Sequence, residues 1–194
     1  MLKFIALTIV TLAIAIGGGV ASIWMALDSD FGFGSIQLGE WVAHPTRGTP
    51  DADPYSRARF SREADLALGT AEGLVFTARR DSAGHTLQGR CQYRVEGGLP
   101  PARFWTLHAR NGDGAVVSIE GGRPSGRHSL AMLREPDNTV ATTVSRHPSP
   151  GNWLPLAGTG PFVLVLTLYD TAIASSARIA EVELPRITQA GCDD

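Results

Sequence analysis

The chain has 194 residues, 43% of them hydrophobic, with 17 basic and 19 acidic side chains and a formal charge of −2 at pH 7. That length supplies one ordinary core without metals or several disulfides. The near-neutral balance excludes a nucleic-acid partner, which would require a basic excess to neutralise phosphates, and two cysteines exclude a disulfide-rich scaffold or an all-cysteine zinc site.

A mean hydropathy of +0.01 averages two unlike parts, because 20 of the first 27 residues are hydrophobic. No charge falls between Lys3 and Asp28. Phe4 to Leu27 makes about 36 Å of helix at 1.5 Å per residue, enough to cross a hydrocarbon core of about 30 Å. Trp24 falls near the far end, where an indole favours the headgroup interface. Ala13-Ile14-Ala15 offers a competing signal-peptide site, but cutting there leaves the apolar stretch from Ile16 to Leu27 exposed. Residues 1–27 are therefore expected to be a retained transmembrane anchor, with residues 4–27 in the membrane. Lys3 precedes the span while Asp28 and Asp30 follow it, which places the N-terminus in the cytoplasm and residues 28–194 outside.

Residues 28–53 read as a linker, since Gly32, Gly34, Pro45, Gly48 and Pro50 interrupt every period. Asp53-Pro54 supplies an N-cap and a first-turn proline, so a short helix is expected from Tyr55 to about Ala67. From Leu74 the texture changes to short strands cut by turns. The expected strands are Gly73–Arg80, Cys91–Glu96, Arg103–Arg110, Ala115–Glu120, Ser129–Arg134, Thr139–Ser145, Phe162–Tyr169 and Arg178–Leu184. Asn111-Gly112-Asp113-Gly114, Asp81-Ser82-Ala83-Gly84 and Pro136-Asp137-Asn138 carry the residues that tight turns demand. The run from Phe162 to Tyr169 is apolar on both faces and reads as a central, doubly covered strand. Seven or eight such strands imply an antiparallel β-sandwich or jelly roll over residues 54–185, leaving 186–194 as a tail.

No catalytic string emerges. Gly122-Arg123-Pro124-Ser125-Gly126 has the wrong spacing for a nucleophile elbow. Nucleotide and dinucleotide loops are absent, and Lys3 is the sole lysine. No cofactor is implied. His44, His85, His108, His128 and His147 never fall as H-x-H or H-x-x-x-H, so no local pair grips a metal; only long-range convergence of His108, His128 and His147 would make a site. Nineteen acids make some close pair nearly inevitable, and most sit in turn strings. Arg79-Arg80 and Arg123/Arg127 are the local basic clusters, able to meet phosphate or carboxylate bidentately. Cys91 and Cys192 would both lie outside the membrane, where a bond is permitted; the alternative is a buried strand cysteine and a loose tail thiol.

Several strings occur together in a familiar order. Leu99-Pro100-Pro101-Ala102-Arg103-Phe104-Trp105-Thr106-Leu107, then Arg127-His128-Ser129-Leu130, then Asn152-Trp153-Leu154-Pro155 running through Gly158-Thr159-Gly160-Pro161 into Phe162–Tyr169, resemble the bacterial domain-of-unknown-function 1214 family. Trp41, Pro45, Gly48, the run Asp51-Ala52-Asp53-Pro54-Tyr55 and the run Cys91-Gln92-Tyr93-Arg94 are similar to a single-span, membrane-anchored branch of it. The resemblance covers about residues 40–185. It implies a β-sandwich or jelly roll without an established activity; longer relatives carry an additional N-terminal domain.

The expected location is accordingly a bacterial inner membrane, crossed once, with residues 28–194 periplasmic. The leading functional expectation is a non-enzymatic module binding an envelope ligand, protein or glycan. Candidate binding residues are Trp105, Arg127, His128, Ser129, Asn152 and Trp153. Trp105 and Trp153 read either as core or as ligand-stacking rings. The alternatives are a hydrolase of an envelope glycan using an acid pair or Arg127, His128 and Ser129 in one cleft, and an assembly factor acting through its span.

Overall fold

The computed structural model describes residues 1–28, 34–63, 68–112, 114–119, 121, 123–175 and 182–193. Helix α1 covers Leu2–Asp28, and its segment Lys3–Met25 is long and apolar enough to span a membrane. Three of its hydroxyls are satisfied within the helix: Thr8 and Thr11 donate to the carbonyls of Phe4 and Leu7, and Ser22 donates to that of Gly19, each at 2.9 Å. Such back-bonding is how polar side chains are accommodated where water is absent.

The rest is mainly β. Strands β1 (Ile36–Leu38), β2 (Trp41–Ala43), β3 (Gly73–Ala78), β5 (Phe104–Asn111), β6 (Gly126–His128) and β9 (Phe162–Tyr169) form a six-stranded sheet in the order β1-β2-β3-β9-β5-β6. Strands β4 (Cys91–Gly97), β7 (Val140–Ser145), β8 (Asn152–Pro155) and β10 (Arg186–Cys192) form a four-stranded sheet in the order β10-β4-β7-β8. Alternation in β4 buries Cys91, Tyr93 and Val95 and exposes Gln92, Arg94 and Glu96, as a sheet with one wet face requires. β9 lies between β3 and β5 and is buried from Phe162 to Leu168. Phe76, Tyr93, Trp105, Val144, Leu154, Leu164, Leu166, Leu168 and Ile187 fill the space between the sheets.

The turn clusters behave as their chemistry dictates. The Asp81 carboxylate accepts from the Ala83 and His85 amides at 2.9 and 2.8 Å, and Gly84 adopts φ 88°. Asp137 accepts from the amide and hydroxyl of Thr139, bonds that hold its carboxyl below the usual carboxylate range. Asp53 caps helix α2 (Pro54–Glu63) through the Ser56 amide; Ala64–Ala67 of the expected helix lie outside the described residues.

Six expectations are corrected. Residues 36–43 of the expected linker are two paired strands, because Leu38, Trp41 and Ala43 bury against the core. The expected tail is β10, paired to β4 and burying Ile187. Val182–Leu184 is irregular, so the last strand begins two residues later than Leu184; residues 178–181 lie outside the described set. Ser129–Ala131 is a 3-10 turn after the short β6, not a strand. Ala115–Glu120 contributes only a bridge from Val116 to Arg110, with Glu120 outside the described residues. The sandwich is also not wholly antiparallel: β7 and β8 run parallel.

Cys91 and Cys192 sit opposite each other across β4 and β10 and form a disulfide, closing a separation of 101 residues. The open question of their pairing is thereby answered, and the C-terminal strand is covalently fixed.

Candidate functional site

Among the candidate residues, three are brought together and three are not. Arg127 on β6 donates from Nε to the backbone carbonyl of Trp153 on β8, so one guanidinium joins the edges of the two sheets. Trp153 Nε1 donates to the Ser145 carbonyl at 3.0 Å, and the Arg123 guanidinium lies 5.8 Å from its ring centroid, within cation–π range. Asn152 accepts from the Leu133 amide at 2.8 Å and donates to the Leu133 and Ala141 carbonyls at 2.7 and 3.0 Å. Asn152, Trp153 and Arg127 therefore form a clasp over the seam between the sheets.

The others go elsewhere. Trp105 is 4% exposed and belongs to the core, which removes it as a stacking ring for a ligand. His128 packs its ring 5.7 Å from that of Phe104, and Ser129 Oγ accepts from the Trp105 amide at 3.4 Å. Arg127, His128 and Ser129 thus face three different partners rather than one cleft. His147 pairs with Asp193 at 3.2 Å beside the four-stranded sheet, away from His128 at the β6 edge. Among the described residues no group of three or more His, Cys, Asp or Glu is placed to hold a metal.

A wide concavity lies elsewhere, at the opposite edge of the six-stranded sheet. A groove of about 950 Å3 is walled by the β1–β2 hairpin, by the end of β3 with the Asp81 turn, and by the segment leading into β10. Its apolar lining comes from Leu38, Val42, Val182 and Leu184, and its charges from Arg79, Arg80, Arg186, Glu40, Asp81 and Glu183. The volume is near the top of the usual ligand-site range, and the lining is about equally polar and apolar, more charged than an ordinary small-molecule pocket.

Its walls are tied by a small polar knot. Glu40 Oε1 accepts from the Ser82 hydroxyl at 2.6 Å and from the Ile187 amide, and the Ser82 amide donates to the Ile187 carbonyl at 2.8 Å. Trp41 Nε1 adds a bond to the Pro185 carbonyl at 2.7 Å. The Glu40 carboxylate is thus taken up by Ser82 and Ile187 and that of Asp81 by its own turn, while the side chains of Arg79, Arg80 and Arg186 are exposed at the rim. Arg80 spends one Nη1 donor on the Gly84 carbonyl, leaving most of its five donors outward. In the sequence the doublet Arg79-Arg80 and the Asp81-Ser82-Ala83-Gly84 turn mark part of this site, whereas Glu40 and Arg186 lie in segments that read as a linker and a tail.

The family described as "Protein of unknown function (DUF1214)" matches residues 72–173, from just before β3 to just after β9. No curated protein matches the chain. Among solved structures, the chain is similar to the VPA0106 protein from Vibrio parahaemolyticus, at TM-score 0.57 and 20% identity over 72% of this chain and 36% of that one. It is also similar to an uncharacterised protein from Burkholderia cenocepacia, at TM-score 0.42 and 18% identity over 92% of this chain and 51% of that one. The chain therefore spans about a third to a half of the length of these two proteins, and the first likeness supports the fold alone.

Proposed function

The chain belongs to the DUF1214 family, and from that premise we propose that it is a membrane-anchored, non-catalytic binding module of the bacterial envelope. In this reading α1 holds the protein in the inner membrane with its N-terminus in the cytoplasm, and the sandwich presents the groove in the periplasm. The charge pattern Lys3, then Asp28 and Asp30, supports the orientation. The Cys91–Cys192 bond supports an oxidising compartment.

One observation carries the binding reading. The groove combines apolar side chains with three exposed guanidiniums, and two of its three acids, Glu40 and Asp81, are spent on holding its walls. A general acid or base must instead reach the proton it moves. Such a surface suits an envelope protein segment or glycan bearing carboxylate or phosphate groups, which arginine meets bidentately.

The test is photo-crosslinking in living cells from an amber-encoded probe at Gln37, inside the groove, with a second probe at Val116 as reference. A discrete covalent partner from position 37 that is missing from position 116 is the expected result. Equal labelling from both positions, or purified protein that turns over an envelope glycan, would overturn the proposal.

A further inference from the structure

Among the described residues outside α1, three large hydrophobic side chains stand exposed: Val116 at 49%, Leu130 at 83% and Leu133 at 68%. Single exposed leucines are unremarkable, but these two share one turn whose backbone is pinned. Ser129 Oγ holds the start through the Trp105 amide. Asn152 grips both the amide and the carbonyl of Leu133. Ser129 and Asn152 thus pin the two ends of the segment that carries both exposed leucines.

Strand register says where the turn lies. Ile36, Ala43, Phe76, Leu166, Leu107 and Arg127 are successive partners across the six-stranded sheet. β1 runs away from this row toward Leu38, whereas β6 runs through it toward His128. The chain coming from α1 therefore enters β1 at the same end of the sheet at which β6 delivers Ser129 and Leu130. Seven residues, and so eight Cα-to-Cα steps, separate Asp28 from Ile36, a reach of at most about 29 Å. The sheet is about 24 Å wide at 4.8 Å per strand spacing. If α1 spans a bilayer, its surface lies within reach of the turn.

We propose that the turn Ser129–Leu133 docks on the lipid bilayer, inserting Leu130 and Leu133 at the interface and fixing the sandwich against the membrane. This rests on the reading of α1 as an anchor. Arg123 and Arg127 precede the leucines and Arg134 follows them, against Glu135 and Asp137, so apolar insertion is the main attraction and anionic headgroups a minor one. A second copy of the chain is a poorer occupant, because two leucines offer far less than the roughly 1,200 Å2 that a stable interface buries. Docking would leave the β1–β2 groove at the other edge of the sheet facing the periplasm.

The test uses the full chain in nanodiscs of phosphatidylethanolamine and phosphatidylglycerol, with a diazirine amino acid placed singly at positions 24, 116, 130 and 133. After irradiation, lipid adducts are counted by mass spectrometry. Expected are adducts at 24, 130 and 133, with yields at 130 and 133 at least ten-fold above that at 116, which lies at the opposite end of the sheet. Lipid at 24 with none at 130 and 133 would overturn the docking proposal alone, as would adducts from 130 and 133 to a second protein chain. Loss of lipid at 24 as well would overturn the anchor reading with it.

Discussion

β9 with its neighbours β3 and β5 draws its order from apolar burial: Phe76, Leu107, Leu164, Leu166 and Leu168 are buried, and β9 is covered on both faces. The flanking segments that complete the groove bury Leu38, Trp41, Ala43 and Ile187 in the same core but are held by directional ties as well. β1–β2 and β10 lie outside residues 72–173, the stretch the family shares, and they are tied by the Glu40–Ser82–Ile187 knot, the Trp41–Pro185 bond and one disulfide. Hydrophobic burial is non-directional and tolerates exchange of one apolar side chain for another. Polar ties are directional and depend on individual atoms. The apolar core is therefore a scaffold, and the proposed site depends also on directional ties that single substitutions can dismantle.

Removing core volume should give the largest effect. Leu166→Ala is expected to cost about 2–5 kcal/mol, read as a lower midpoint of one cooperative denaturant transition for the whole sandwich. Replacing Cys91 and Cys192 together by Ala should cost about 2–4 kcal/mol, with a different signature: hydrogen exchange should rise first in residues 186–192 and around the groove. Uniform loss of protection across β3, β5 and β9 in that variant would erase the distinction between scaffold and flank. Trp41→Phe, which keeps an aromatic ring but strands the buried Pro185 carbonyl, should cost about 1–3 kcal/mol, again localised to the groove wall.

A smaller effect concerns the scaffold alone. Burial pushes the Tyr93 phenol above its ordinary 10.0, the nearby Asp81 charge adding to the rise, although the Gln88 amide bonded to its oxygen works against it. The folded state then holds this proton more tightly than the unfolded chain. Below pH 10 both states are protonated and nothing is lost. As pH rises past 10 the unfolded state ionises first, so stability falls. Urea midpoints measured between pH 9 and 11 should decline, and the decline should be shallower in Tyr93→Phe. The least effect is expected from Leu130→Ser with Leu133→Ser, within about 0.5 kcal/mol, because both side chains are exposed; a larger loss by thermal melt would mean the turn serves the fold rather than a surface.

What the sequence made legible follows the same division. β9 announced itself through an unbroken apolar run, and the Asp53, Asp81 and Asp137 turns through side chains that bond their own neighbouring amides. Those signals are local. β1 and β2 were hidden because each has three residues and their burial is set by partners far along the chain. β10 reads as polar since only Ile187 of its seven residues is buried; its identity as a strand comes from pairing with β4. The groove was least visible, because Glu40, Ser82 and Ile187 are separated by 42 and 105 residues, and no spacing rule joins them. The signature strings Arg127–Leu130 and Asn152–Pro155 were visible but mute until the structure showed one clasping the other.

The proposed binding surface, built by the flanks together with the Asp81 turn of the family core, is put to the test by the crosslinking yield from Gln37 in the Arg80→Glu, Arg186→Glu double variant. Both side chains are exposed at the groove rim and outside the core, so the melting temperature should stay near that of the parent chain. At an unchanged melting temperature the discrete partner should fall at least ten-fold, since losing about 1.4 kcal/mol of charge-assisted bonding already amounts to a factor of ten. An undiminished yield would contradict it and place the binding surface elsewhere on the sandwich.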